Sequence, residues 1–241
     1  MLLILGFHEI AEQGLSPWIM HPHDLDWRIR TLKAAGYTFR SLHNALDKPT
    51  ANFMEREAVL TFDDGRIGNA THARKVLADH GVPAVFYVCP GFVEGVEVPD
   101  HERYTKFMDW GHIQDLAAAG HEIGGHSMHH INQGNLTRAH VRFDANDCWS
   151  AIRRQLPVQY PLRHYAFPYG GVPAWSYESD FLLAGWKSCV TTMPRVENGR
   201  GSRHDPMRLS RWCPTSDMTL DGFIAQLSHM EHSAWQMHPE T

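Results

Sequence analysis

Along this chain, apolar runs too short to be helices alternate with longer segments in which apolar residues recur at helical spacing. The short runs are Leu2–Gly6, Val59–Phe62, Ala84–Val88, Glu122–Gly124, His164–Phe167, Lys187–Thr191 and Arg208–Trp212. Such alternation predicts βα units wrapped around a parallel sheet of about seven strands. The clearest helices are Asp109–Ala119 and Thr137–Leu156, the second opening on a threonine cap and ending before Pro157. Gly36, Gly81, Gly120 and Gly185 each follow a periodic segment, where a left-handed C-terminal cap is wanted. A last helix is expected over Thr219–Met230, and the polar stretch from Arg195 to Pro206 reads as a surface loop. No linker, repeat or low-complexity tract interrupts the pattern, so 241 residues suit an α/β barrel folded as one domain over 1–241.

Composition narrows the partners. Hydrophobic residues make up 43% and charged residues 20%, enough for a sizeable core and too little polarity for disorder. The formal charge is −5 and no Lys/Arg cluster tracks a phosphate backbone, so no nucleic-acid partner is expected. Cys89, Cys148, Cys189 and Cys213 lack paired C-x-x-C spacing and read as reduced, mostly buried thiols, with distant disulfides left open. The N-terminus MLLILGFHEI lacks the basic region and cleavage site of a signal peptide and reads as a first strand. With no apolar run near 18 residues, no membrane span is expected, and the expected compartment is the cytoplasm.

In a parallel barrel the carboxyl ends of the strands carry the chemistry. Four of them deliver polar or turn-forming residues: Phe7-His8, Asp63-Asp64-Gly65, His126 to His130, and Pro168-Tyr169-Gly170. Adjacent carboxylates repel in a low dielectric, and a bound cation would relieve this, one aspartate ligating while its neighbour takes a proton. Asp-Gly is also a common turn dipeptide, so the pair alone does not decide. His126 and His130 lie four apart and on one helical turn would share a face toward one metal. With 18 histidines in 241 residues, chance supplies roughly one such pair. The conjunction carries the weight: one Asp and two His leave coordination positions open for water and substrate, as in a catalytic metal site.

TFDDG, then H-S-x-x-H some sixty residues on, then P-Y-G, resembles the polysaccharide deacetylases of the NodB-homology type, carbohydrate esterase family 4. The resemblance implies a single distorted (β/α) barrel of seven to eight parallel strands. It also implies Asp63 as general base, and Asp64, His126 and His130 as ligands of one divalent metal, with zinc the ion this set suits best. Pro168 and Tyr169 fall on the substrate-binding groove motif, whose tyrosine N–H helps to form an oxyanion hole. The substrate class implied is an N-acetylated saccharide, such as a cytoplasmic intermediate of surface polysaccharide or O-antigen synthesis.

Two positions depart from the family pattern. Ala166 stands where many members have the arginine that orients the base, and no late strand ends in the histidine that serves as acid. His8 and Arg211 are the candidates for these vacancies, while His229 falls in the C-terminal helix. Two other readings stay open: a hydrolase of a small non-sugar amide, and a catalytically inactive carbohydrate-binding barrel. Oligomeric state is not legible.

Overall fold

The computed structural model describes residues 1–14, 16–47, 55–96, 98–100, 103, 105–175, 177–196 and 205–236. Six parallel strands pair in chain order: β1 (Leu2–Phe7), β2 (Glu57–Phe62), β3 (Ala84–Val88), β4 (Glu122–Gly125), β5 (His164–Ala166) and β6 (Ser188–Val190). A two-residue strand, Thr38–Phe39, joins the start of β2. Helices fill the crossovers: α1 (Pro22–Ala34), α2 (Leu42–Leu46), α3 (Arg74–His80), α4 (Pro90–Val93), α5 (Trp110–Ala118), α6 (Arg138–Gln155), α7 (Glu178–Ala184) and a closing α8 (Leu220–Gln236). None is long and apolar enough to cross a membrane.

Strands β1 and β3 are apolar throughout because both of their faces are covered. Leu2, Ile4, Val59, Val85, Tyr87, Ala166, Val190 and Leu209 point into the barrel. Alternate residues, such as Leu3, Leu5, Leu60 and Phe86, meet the helix layer. Leu42 of α2 reaches the interior cluster from the amino ends of the strands. The carboxylate of Glu122, at the start of β4, accepts from the backbone N–H groups of Leu42 and His43 at 2.7 and 3.1 Å and so anchors that short helix.

The expected seventh strand is reduced to single bridges, Leu209 to Val190 and Trp212 to Leu5, so it crosses the gap obliquely and ties β6 back to β1. Hydrogen bonds of 2.8 and 2.9 Å between Trp212 and the backbone of Gly6 and Ile4 close the ring. Gly6 permits this approach, since a Cβ there would meet Cys213 Sγ at 2.6 Å and Arg211 Cδ at 3.2 Å. The four glycines read as helix stops all carry positive φ, from 63° at Gly81 to 110° at Gly185. Asp109 and Thr137 cap α5 and α6 through their side chains. Of the Arg195–Pro206 stretch, 197–204 lie outside the described residues. All four cysteines are free thiols, and three are buried.

Between β4, β5 and α6 the core is organised by Trp186. Its ring meets that of Tyr165 edge-on at 5.3 Å, and its N–H donates to the Ala145 carbonyl at 3.1 Å. It fits because position 125 lacks a side chain; a Cβ on Gly125 would meet Trp186 Cη2 at 2.5 Å. Trp186→Ala is therefore expected to cost about 3–5 kcal/mol, as for other buried Trp truncations. Denaturant unfolding measures it, and a loss below about 1 kcal/mol would contradict this packing.

Candidate active site

Strand β2 sets the position of the first aspartate by parity. Val59, Thr61 and Asp63 alternate toward the barrel interior, so Asp63 arrives at the carboxyl end facing inward. Asp64 has the opposite parity, and backbone twist brings it back: its φ is 70°, followed by 77° at Gly65. Both carboxylates are 2% exposed.

The two aspartates meet different partners. Asp63 is held in a two-armed bond by Arg211, whose Nη1 and Nη2 donate to Oδ1 and Oδ2 at 2.6 and 2.8 Å. Arg211 is itself fixed, donating to Thr61 Oγ1 and the Thr191 carbonyl. The guanidinium expected at position 166 thus comes from the closing segment. Ala166 instead offers its carbonyl to His126 Nδ1 at 2.8 Å. Burial opposes a charge on Asp63, yet Arg211 and His126 outweigh it and hold the carboxyl below its ordinary value.

Asp64 Oδ1 faces His126 Nε2 at 3.4 Å and His130 Nε2 at 3.2 Å, while Oδ2 accepts from the buried Arg66 at 3.2 Å. The histidines do not share a helix face. They lie on a loop after β4, where Ser127 and His130 take φ of 65° and 56° and turn both rings toward one point. Spacing of four was the correct observation, but left-handed backbone rather than helical periodicity brings the imidazoles together.

This donor set fits a divalent cation. The three ligand atoms lie within 4.8 Å of one another. Asp64 Oδ1 is buried without a hydrogen bond, a costly state that a cation would relieve. The Ala166 carbonyl sets His126 Nδ1 as the protonated nitrogen, which leaves the Nε2 lone pair on the ligand side. Burial opposes charge on Asp64 as well, but His130 and His126 hold its carboxyl well below the ordinary value.

These groups line one cavity of about 1220 Å³, together with His8, Tyr169, Arg211 and Trp18. The His8 ring meets that of Trp18 at a tilt, 4.8 Å between centroids, and burial pushes its imidazole pKa down. Tyr169, at φ 58°, lays its ring 4.7 Å from that of His130. Pro168 is buried in the same turn and does not line the cavity. His229 is exposed on α8, outside that cavity. Asp64, Ser127, His130 and Tyr169 are the non-glycine residues with positive φ among the described residues, and all four sit on strand-end loops at this site. Strained backbone gathered at one place is a mark of function.

The polysaccharide deacetylase family matches over residues 50–180, more than half of the chain. The protein belongs to that family. It is 34% identical over 116 residues to the chitooligosaccharide deacetylase of Bradyrhizobium sp. (strain ANU 289), covering 48% of this chain and 47% of that protein. A second chitooligosaccharide deacetylase, from Sinorhizobium fredii (strain NBRC 101917 / NGR234), is 34% identical over 112 residues and 46% of each chain. These matches span about half the length of each relative. Among solved structures, IcaB from Ammonifex degensii superposes with a TM-score of 0.77 at 18% identity, covering 95% of this chain and 96% of that one. The Streptococcus pyogenes deacetylase PplD, in complex with acetate, gives 0.75 at 18%, covering 93% and 97%. The fold is therefore the deacetylase barrel.

Sequence reasoning missed what supports the site. Asp144 of α6, 9% exposed, accepts from Ser127 Oγ at 2.9 Å, the Met128 N–H at 3.0 Å and Gln133 Nε2 at 2.6 Å, pinning the histidine loop. A signal existed: Asp144 falls on the buried stripe of α6 with Val141, Ala145 and Cys148. Arg66 was missed too, although it directly follows the DDG motif.

Two outcomes follow for this polysaccharide deacetylase barrel. Asp64→Ala, His126→Ala and His130→Ala should each abolish bound divalent metal in elemental analysis of purified protein; unchanged content in all three would remove the metal assignment. Arg211→Gln should move the acid limb of the pH–rate profile upward. A general base at Asp63 would work ionised, so activity would fall as pH drops through its pKa, and without the guanidinium burial is free to raise that pKa. An unmoved limb would show that Arg211 does not set the charge of Asp63.

Proposed function

We propose that this protein is a metal-dependent hydrolase that removes N-acetyl groups from a saccharide, with Asp63 as general base and Asp64, His126 and His130 holding one divalent metal, zinc by preference. The observation that carries this reading is the division of labour within the DDG pair: Arg211 occupies both oxygens of Asp63, while Asp64 Oδ1 is left facing two imidazole nitrogens. A binding barrel without catalysis has no need of that arrangement.

When bound, the cation would supply Lewis acidity, polarising the acetamide carbonyl and acidifying a water. Asp63 takes the proton of the attacking water, its carboxylate oriented by Arg211 and kept ionised. The backbone N–H of Tyr169 is the group that the family resemblance assigns to the oxyanion. His8 is the proton donor to the departing amine, from the cavity wall. The curated relatives named as chitooligosaccharide deacetylases support a saccharide as substrate. A cytoplasmic setting and a surface-polysaccharide or O-antigen intermediate belong to the same proposal.

Acetate release from a panel of N-acetylated oligosaccharides tests the activity. Asp63→Asn should keep its metal and lose turnover by a factor on the order of 100 or more; if instead it loses metal while Asp64→Asn keeps it, the pair is assigned backwards. His8→Ala should lower turnover at full metal occupancy and remove the alkaline limb. Because burial lowers the His8 pKa, that limb should lie on the acid side of the ordinary imidazole range. A limb that survives in His8→Ala would assign the proton to another donor.

A further inference from the structure

A second cavity adjoins the one at the candidate active site. Pro194 and Gln226 line both, so a cavity of about 540 Å³ adjoins the first between the segment leaving β6 and helix α8. The first, at about 1220 Å³, already exceeds the roughly 300–1,000 Å³ that encloses a drug-sized ligand. The combined space suits more than one sugar unit.

The two cavities differ in charge. Among the described residues, Arg211 is the one Lys or Arg lining the catalytic cavity, and Asp63 takes both its arms. It leaves no free guanidinium or ammonium group there for an anion on the substrate. The adjoining cavity is lined by Arg195 and His229, with Ser233 and Gln226 as further polar groups and no carboxylate among the described residues. In a chain of net charge −5, a wall free of acids that carries a permanent guanidinium favours an oxyanion.

We propose that this second cavity is a subsite for an anionic group, a sugar carboxylate or a phosphodiester, on the unit next to the one deacetylated. The inference rests on the N-deacetylase reading for the word substrate, but the anion site itself does not need turnover. Arg195 offers the two-pronged donor geometry that suits either oxyanion, and Pro194 offers an apolar face beside it. Because Arg195 and His229 are both exposed, their contribution should appear in binding and KM, sensitive to salt through Arg195, and not in kcat.

Calorimetry on the wild-type protein with a uronic-acid trisaccharide, which has no acetamide, separates the two questions. A glycerol-phosphate oligomer is the phosphodiester arm and a neutral glucose trisaccharide the control. One charged ligand should bind about tenfold more tightly than the neutral one, and the difference should shrink as salt rises. Arg195→Ala should remove that preference and His229→Ala reduce it, while acetate release from a neutral N-acetylated oligosaccharide stays unchanged in both. Whichever charged arm keeps the preference names the anion. Equal binding of charged and neutral ligands, or a preference that survives Arg195→Ala, overturns the subsite. Selective binding of the anion without acetate release from any N-acetylated substrate would overturn the deacetylase reading and leave the anion site standing.

Discussion

Two neighbouring carboxylates, each 2% exposed, stand at the end of one strand, and satisfying them is the constraint around which the rest of the site is arranged. Unpaired charge at that depth costs several kcal/mol per ion, and adjacent like charges add to it. The chain resolves this by giving each aspartate its own partners: Arg211 on both oxygens of Asp63, and Arg66 with two imidazoles around Asp64. Identical side chains are thereby given unlike surroundings, one held by a guanidinium on both oxygens and the other facing two imidazoles.

Barrel closure and the hold on Asp63 come from the same segment. Residues 209–212 pair with β6 at one end and with β1 at the other, and Arg211 lies between these bridges with its guanidinium turned onto Asp63. The absence of a side chain at Gly6 lets that segment approach. On the opposite wall, the histidine loop depends on Asp144, a buried acceptor on a crossover helix, to hold Ser127 and Met128 while the backbone takes left-handed turns. The positions of the two histidines thus depend on a residue outside the cluster they form with Asp64.

Much of this was legible in the sequence because the signals were local. Short apolar runs marked strands, glycines marked helix stops, and the DDG motif at a strand end marked the paired aspartates. The histidine pair was found for a reason that did not apply: spacing of four suggests a helical face, and only backbone angles reveal that Ser127 and His130 make a loop. Arg211 was legible as a candidate for the arginine that orients Asp63, although 148 residues separate the two and only ring closure shows how they meet. The reduction of Arg208–Trp212 to bridges was not readable either, because its apolar pattern is that of a strand while its oblique path is set by the gap between β6 and β1. Asp144 was overlooked although it interrupts an apolar stripe, the place where a buried polar network announces itself.

We propose that one divalent cation, held by Asp64, His126 and His130, satisfies the buried Asp64 Oδ1 that no hydrogen bond reaches. Anomalous diffraction from crystals of the metal-loaded protein, collected at the absorption edge of the ion found by elemental analysis, tests it most directly. The account predicts a single strong peak within about 2.3 Å of Asp64 Oδ1 and of both imidazole Nε2 atoms, with Asp63 still on Arg211. A peak bound by Asp63 in place of Asp64, or loaded protein with no peak at this centre, would contradict it.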